Sequence, residues 1–256
     1  MNLVQGRERA LANLLHSTPD VSAASRPDHI TLPDLVHQET LAAVSQTHDD
    51  GRERKIGFRF IHGRWFAGLM RTGSAVTLQE DGTSTNASTG TNSYIGRPHL
   101  HMHTHPSPDP ERVVESVHRR PHTKDWSKSK RADLINRESN FHAGSHMLPS
   151  RGDLDAIYST SFGTVGNIIA SSGGIFFSLR NDLRDKEWLI HQDPEHVKQL
   201  LDEYREAFQF FIRERYSPFV IRNVLLKAVA HVLVDRYSCY FVEDPENPTL
   251  QKVEER

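Results

Sequence analysis

Between Arg97 and Pro106 the chain reads RPHLHMHTHP, with histidine at positions 99, 101, 103 and 105 and Leu100, Met102 and Thr104 between them. Strict alternation of this kind is strand periodicity: successive side chains point to opposite faces, so the four imidazoles share one face and the intervening residues the other. Pro106 has no N–H to give to a ladder, so the strand ends there and leaves His103 and His105 at its exit. Side chains two apart on one face stand about 6.5–7 Å apart, and a His-x-His pair meets on one ion only by tilting its rings inward, which a strand end allows.

The chemistry open to such a strand is bounded by composition. Cys239 is the single cysteine, which excludes an internal disulfide framework and a cysteine-rich zinc module; a metal here must use His, Asp or Glu. With 31 Lys and Arg against 33 Asp and Glu, net charge −2, neither a nucleic-acid polycation nor an acidic tail dominates. No run of about 18 apolar residues occurs, and the first twenty residues lack an apolar signal region, so the expectation is a cytoplasmic protein without membrane or nucleic-acid partners. The Asn86 sequon then carries no sugar. At 256 residues the chain holds one good core and at most an appendage.

Leu32 to His48 has helical spacing of Leu35, Val36, Leu41 and Val44, and KIGFRFIHG alternates Ile56, Phe58 and Phe60 as a strand. Two further short strands closed by glycine suggest a meander, and residues 81–93 read as a Ser/Thr/Gly/Asn loop. Residues 107–146 are basic and polar, with too few apolar side chains for a core, and read as an inserted loop with at most a short helix. Ser150 is a good N-cap with Asp153 at the third helical position. GNIIASSGGIFFSL predicts a hairpin about Gly173 and Gly174, followed by two amphipathic helices on either side of Pro218 and a frayed tail from Glu243. The stripe from Leu200 and Leu201 through Tyr204, Phe208, Phe211 and Ile212 reads as packing surface.

A carboxylate in the first turn of a helix, behind a capping serine, is held in one rotamer at the positive helix end and makes a sound third ligand beside two histidines. Two histidines and one carboxylate leave a fourth position open, the catalytic rather than the structural pattern. Asp155 competes with Asp153 but points about 200° away on the helix. Glu80, Asp49 and Asp50 compete with Glu53 as a general base, each with surface salt bridging as its ordinary role. His99 and His101 fit the cleft rather than the ligand set, and His118, His122, His142 and His146 fit a solvated loop.

HTHP followed by PSRGDL resembles the JAMM (JAB1/MPN/Mov34) metallopeptidase motif, in which an upstream glutamate is joined by His-x-His-Pro and then Ser-x-x-Asp. The resemblance implies zinc on His103, His105 and Asp153, Ser150 as a stabiliser of the tetrahedral intermediate, and Glu53, just before the first core strand, as catalytic glutamate. It implies an α/β (α+β) fold: a JAMM/MPN-like curved mixed sheet flanked by helices. This core covers residues 31–185, after an N-terminal extension 1–30 and before a C-terminal helical region 186–256. The departure is about 40 residues between His105 and Ser150, a basic insertion at about 107–147 that could gate the cleft or recognise the partner. The implied activity is that of a zinc metalloprotease and isopeptidase of the MPN+ type, a hydrolase cutting an isopeptide or C-terminal peptide bond of ubiquitin or a ubiquitin-like protein. A partner subunit or a homodimer through the C-terminal helices would fit. The alternatives are a partner-binding MPN scaffold without catalysis, a cupin, for which only Glu111 partly matches, and a metal-dependent hydrolase of another family.

Overall fold

Alternation at the histidine strand is realised as burial: Leu100, Met102 and Thr104 are buried, His101 and His103 half-buried. The computed structural model describes residues 11, 26–80, 84–85, 98–159, 165–181, 194–233 and 237–254; the loop reading for 81–93, apart from 84–85, the Asn86 sequon and most of the N-terminal extension lie outside them. In chain order the strands are β1 (His29–Thr31), β2 (Arg52–Ile61), β3 (Arg64–Ala67), β4 (Arg71–Ala75), β5 (Thr77–Leu78), β6 (Ser84–Thr85), β7 (Leu100–Thr104), β8 (Gly166–Ser171), β9 (Gly174–Arg180), β10 (Tyr237–Val242) and β11 (Thr249–Lys252). The helices are α1 (Asp34–Asp50), α2 (Pro110–Arg119), α3 (Lys128–Ser145), α4 (Arg151–Ser159), α5 (Pro194–Arg213) and α6 (Pro218–Leu233).

Nine strands form one curled sheet in the order β1-β11-β10-β9-β8-β7-β2-β3, with β4 also on β2; β5 and β6 pair separately. All ladders are antiparallel except β7 with β8. A parallel pair needs a long crossover, and the chain between Thr104 and Gly166 supplies it. One face of the sheet packs on α1 through Ile56, Phe58, Leu100, Met102, Ile168 and Phe177. The other packs on α3 to α6 through Ile169, Phe176 and Cys239, so β8 and β9 are buried on both sides and read as unbroken apolar runs. Among the described residues these six helices flank the sheet, a mixed α/β architecture. Among the described residues no helix is long and apolar enough to cross a membrane.

Three expectations change. The 107–146 segment is not a loop: α2, a short 3-10 turn (Pro121–Thr123) and α3 form an ordered helical layer. Its apolar residues are few but fall where they bury, Val113 and Val117 on α2, Leu134 and Phe141 on α3. Its centre is an ion pair in place of a hydrocarbon core, Arg120 Nη1 and Nη2 to Glu138 at 2.5 and 2.8 Å. At Gly144 α3 runs so close to α6 that an added Cβ would lie 2.6 Å from the Pro218 carbonyl oxygen. The tail is not frayed and the 186–256 region is not wholly helical: α6 stops at Leu233, Tyr237 opens β10, and β11 pairs with both β10 and β1, burying Leu250. Its partner β1 lies at the other end of the chain, so local pattern could not reveal the ladder. Finally, β3 and β4 both pair with the long β2, rather than with each other as a meander requires.

Candidate metal centre

The site grows from the exit of β7. Thr104, facing the α1 side, is locked there: its Oγ1 accepts from the Arg54 N–H at 2.8 Å and shares a hydrogen bond with Thr47 Oγ1 at 2.6 Å. The backbone runs one residue further, with His105 N–H donating to the Ala170 carbonyl at 2.9 Å, before Pro106 ends the ladder. Both histidines therefore leave the strand on a fixed main chain.

Asp153 arrives from the far end of the crossover. The N–H and hydroxyl of Ser150 donate to Asp153 Oδ2 at 2.7 and 2.6 Å, and Asp153 N–H returns to Ser150 Oγ at 3.2 Å, the reciprocal arrangement of a capping box. The serine proton is thus committed to the carboxylate. One residue earlier, the Pro149 carbonyl accepts from the buried Tyr204 hydroxyl of α5 at 2.7 Å.

Together these segments bring three groups to one point. His103 Nε2 lies 3.0 Å from Asp153 Oδ1, His105 Nε2 3.1 Å from Oδ2, and the two Nε2 atoms 3.1 Å apart. Neighbouring ligand atoms around a tetrahedral ion with bonds of about 2.0–2.1 Å stand about 3.3 Å apart, so the set fits such an ion after a few tenths of an ångström of spreading. Among the described residues this is the group of three or more His, Cys, Asp or Glu with metal-holding spacing. The surroundings fit as well: His105 Nδ1–H donates to the His146 carbonyl at 3.1 Å, which leaves Nε2 as the free lone pair, the usual second hydrogen bond of a ligating imidazole.

The electrostatics follow from burial and pairing. Burial favours neutral His105, but Asp153, with help from Glu53, overrides it and carries the imidazole above its ordinary value. Burial likewise works against the Asp153 charge, yet His103 and His105 hold this carboxyl well below the usual range. His101 and His146 go the other way, each pushed from 6.5 to about 4, chiefly by burial; Lys55 and then His103 add to the first, and His105 to the second.

Glu53 is 6% exposed. The β2–β7 register pairs Lys55 with His103, so Glu53, two residues back, stands level with His105 on the same side. Lys55 Nζ is 3.6 Å from Glu53 Oε1. The rivals are engaged elsewhere or exposed: Asp50 pairs with Arg54 at 2.6 Å, Asp155 with Arg151 at 3.8 Å, and Asp49 and Glu80 face solvent. His99 accepts the Phe60 N–H at 3.2 Å and stays out of the cluster, as does His101. His118 and His122 are exposed; His142 is buried and His146 half-buried, because their segment is a packed helix rather than a loop. Sequence reasoning passed over Lys55, although its period-two relation to Glu53 on one strand face could have found it. It also passed over the His146 carbonyl, which no side-chain pattern signals, and took Tyr204 for packing alone.

Comparison of the chain with protein-family models, with curated proteins and with solved structures finds no match.

Proposed function

We propose that this chain is a metal-dependent amide hydrolase of the JAMM type, with zinc held by His103, His105 and Asp153. The observation that carries the reading is the convergence, within 3.1 Å, of donor atoms from two segments 48 residues apart in sequence, one of them already turned by a hydrogen bond to a carbonyl. The order His-x-His-Pro at a strand exit, Ser-x-x-Asp at a helix start and a buried glutamate alongside supports the family.

A zinc ion bound there supplies Lewis acidity, polarising a carbonyl and making water easier to deprotonate. Glu53 takes the water proton and returns it to the leaving amine, a role its burial and its level with His105 suit, and one worth typically 10² to 10⁴ in rate. Lys55 keeps the Glu53 carboxylate oriented. Ser150 positions Asp153 through its N–H and hydroxyl; donating to the oxygen on which charge develops, the role the resemblance gives it, requires that hydroxyl to swing away from the carboxylate. The substrate in this reading is an isopeptide or C-terminal peptide bond of ubiquitin or a ubiquitin-like protein. The exposed Phe210, Tyr216, Phe219, Val220 and Val224 of the α5–α6 region are the surface for a partner subunit or second copy.

The test is zinc per chain by mass spectrometry together with cleavage of a panel of ubiquitin-like fusions. About one zinc in the wild type, little in Asp153→Ala, and cleavage lost in Glu53→Gln support the proposal. A chain that takes up no zinc and cuts no fusion leaves the scaffold reading in its place.

A further inference from the structure

Residues 118–131 read HRRPHTKDWSKSKR, six lysines and arginines against one aspartate, in a chain whose net charge is −2. They form the corner between α2 and α3. Two of the six serve the fold: Arg120 is buried against Glu138, and Arg119 pairs with Glu115. Lys124, Lys128 and Lys130 are exposed, Arg131 half-exposed, and among the described residues none of the four is ion-paired.

These four cations do little for the helix that carries three of them. The first turn of α3 holds Lys128, Lys130 and Arg131 and no acid, although that end of a helix carries partial positive charge and favours anions. The corner is nonetheless rigid. Arg120 and Glu138, 4% and 1% exposed, clamp its base, and Thr123 Oγ1 reaches the carbonyls of Val117 and Arg120 at 2.6 and 3.0 Å. Lys130 Nζ sits 3.8 Å over the Trp126 ring, and the His122 ring meets it at 5.7 Å between centroids. A fixed cluster of like charges without ion-pair partners, of which only Lys130 is engaged by the fold, on the Trp126 ring, is preorganised for an anionic partner.

We infer that this corner docks an acidic polypeptide. Trp126 is already occupied by Lys130 and His122, so it holds the cations in place and offers no platform for a stacking base. The charges cap the end of a helical hairpin rather than lining a track for successive phosphates. No large apolar side chain within 118–131 is exposed to enter a bilayer. The 18 residues of α3 span about 27 Å, so the docked partner lies far from the His105 and Asp153 cluster, and its binding does not depend on the metal reading.

The experiment titrates the full chain with fluorescein-labelled octaglutamate, octathymidylate and phosphatidylserine–phosphatidylcholine vesicles at low salt. Octaglutamate binds tightest and changes a tryptophan emission that Trp126→Phe removes. Lys124→Glu/Lys128→Glu/Lys130→Glu weakens it at least tenfold while the chain still unfolds cooperatively; Lys198→Glu/Lys227→Glu, on α5 and α6, leaves binding unchanged. Tighter binding of the oligonucleotide or the vesicles, no octaglutamate binding, or an unaffected triple variant overturns the inference.

Discussion

Ser150 and Asp153 hold each other through three hydrogen bonds of 2.6 to 3.2 Å, two of them ending on the one carboxylate oxygen that also faces His105. Ser150→Ala removes a helix cap and a carboxylate support in one step. The expected losses are about 1 kcal/mol of stability and about 10- to 100-fold in metal affinity. Urea unfolding and competitive zinc titration measure the two separately. Lost stability with unchanged affinity would mean that Asp153 needs no orienting partner.

Position along β7 decides which histidines matter. His103→Gln or His105→Gln should abolish stoichiometric zinc, whereas His101→Gln, one step deeper on the same face, should keep it. Metal content of the three purified variants checks this directly, and equal loss in all three would move the site up the strand.

Glu53→Gln should retain zinc and lose activity by about 10² or more. Lys55→Met should lower kcat by up to about 10²-fold through a misplaced carboxylate, with KM and zinc content little changed and activity restored by Lys55→Arg. A Lys55 effect confined to KM would place the lysine on the substrate instead.

The ion-free protein should be most stable near pH 6.5. His101 and His146 have folded values depressed to about 4, so the stability they contribute is complete above 6.5 and falls away as pH drops toward 4. His105 is raised, so its contribution is complete below 6.5 and is lost as pH climbs through its folded value; Asp153, depressed, contributes in full above 3.8 and loses that contribution only in strong acid. Zinc should reverse the alkaline limb, since ligands must be deprotonated to bind it. Thermal unfolding from pH 4 to 8 with and without zinc reads both, and a zinc-induced rise in Tm that shrinks with pH would contradict the assigned ligands.

Glu138→Leu leaves Arg120 charged and buried, and should cost about 3–5 kcal/mol. Removing both charges in Arg120→Met/Glu138→Leu should recover most of it. Chemical denaturation of the single and double variants gives the coupling; additive losses would show that the pair contributes no mutual compensation.

Much of this molecule was legible locally. Alternation over 100–104 determined a strand and the face its histidines share, Pro106 its end, Ser150 and Asp153 a capping box, and Gly173–Gly174 a hairpin, because each depends on neighbours within a few residues. That Asp153 and Asp155 point to different sides was readable for the same reason: helical geometry alone separates them.

What only the tertiary structure decided is everything carried by pairing across the chain. The crossover from β7 to β8 packs as two helices whose few apolar residues, Val113, Val117, Leu134 and Phe141, are buried beside an Arg120–Glu138 ion pair formed across 18 residues, a pairing that composition does not reveal. The tail is a strand because Thr249 meets Thr31, 218 residues away. Glu53 stands at the level of His105 because of the β2–β7 register, and His105 turns its Nε2 toward Asp153 because a main-chain carbonyl from the end of α3 takes up its Nδ1. Sequence determines which groups are able to bind and where elements begin and end; only the folded sheet, whose ladders join residues far apart in sequence, brings the side chains within hydrogen-bonding distance of one another.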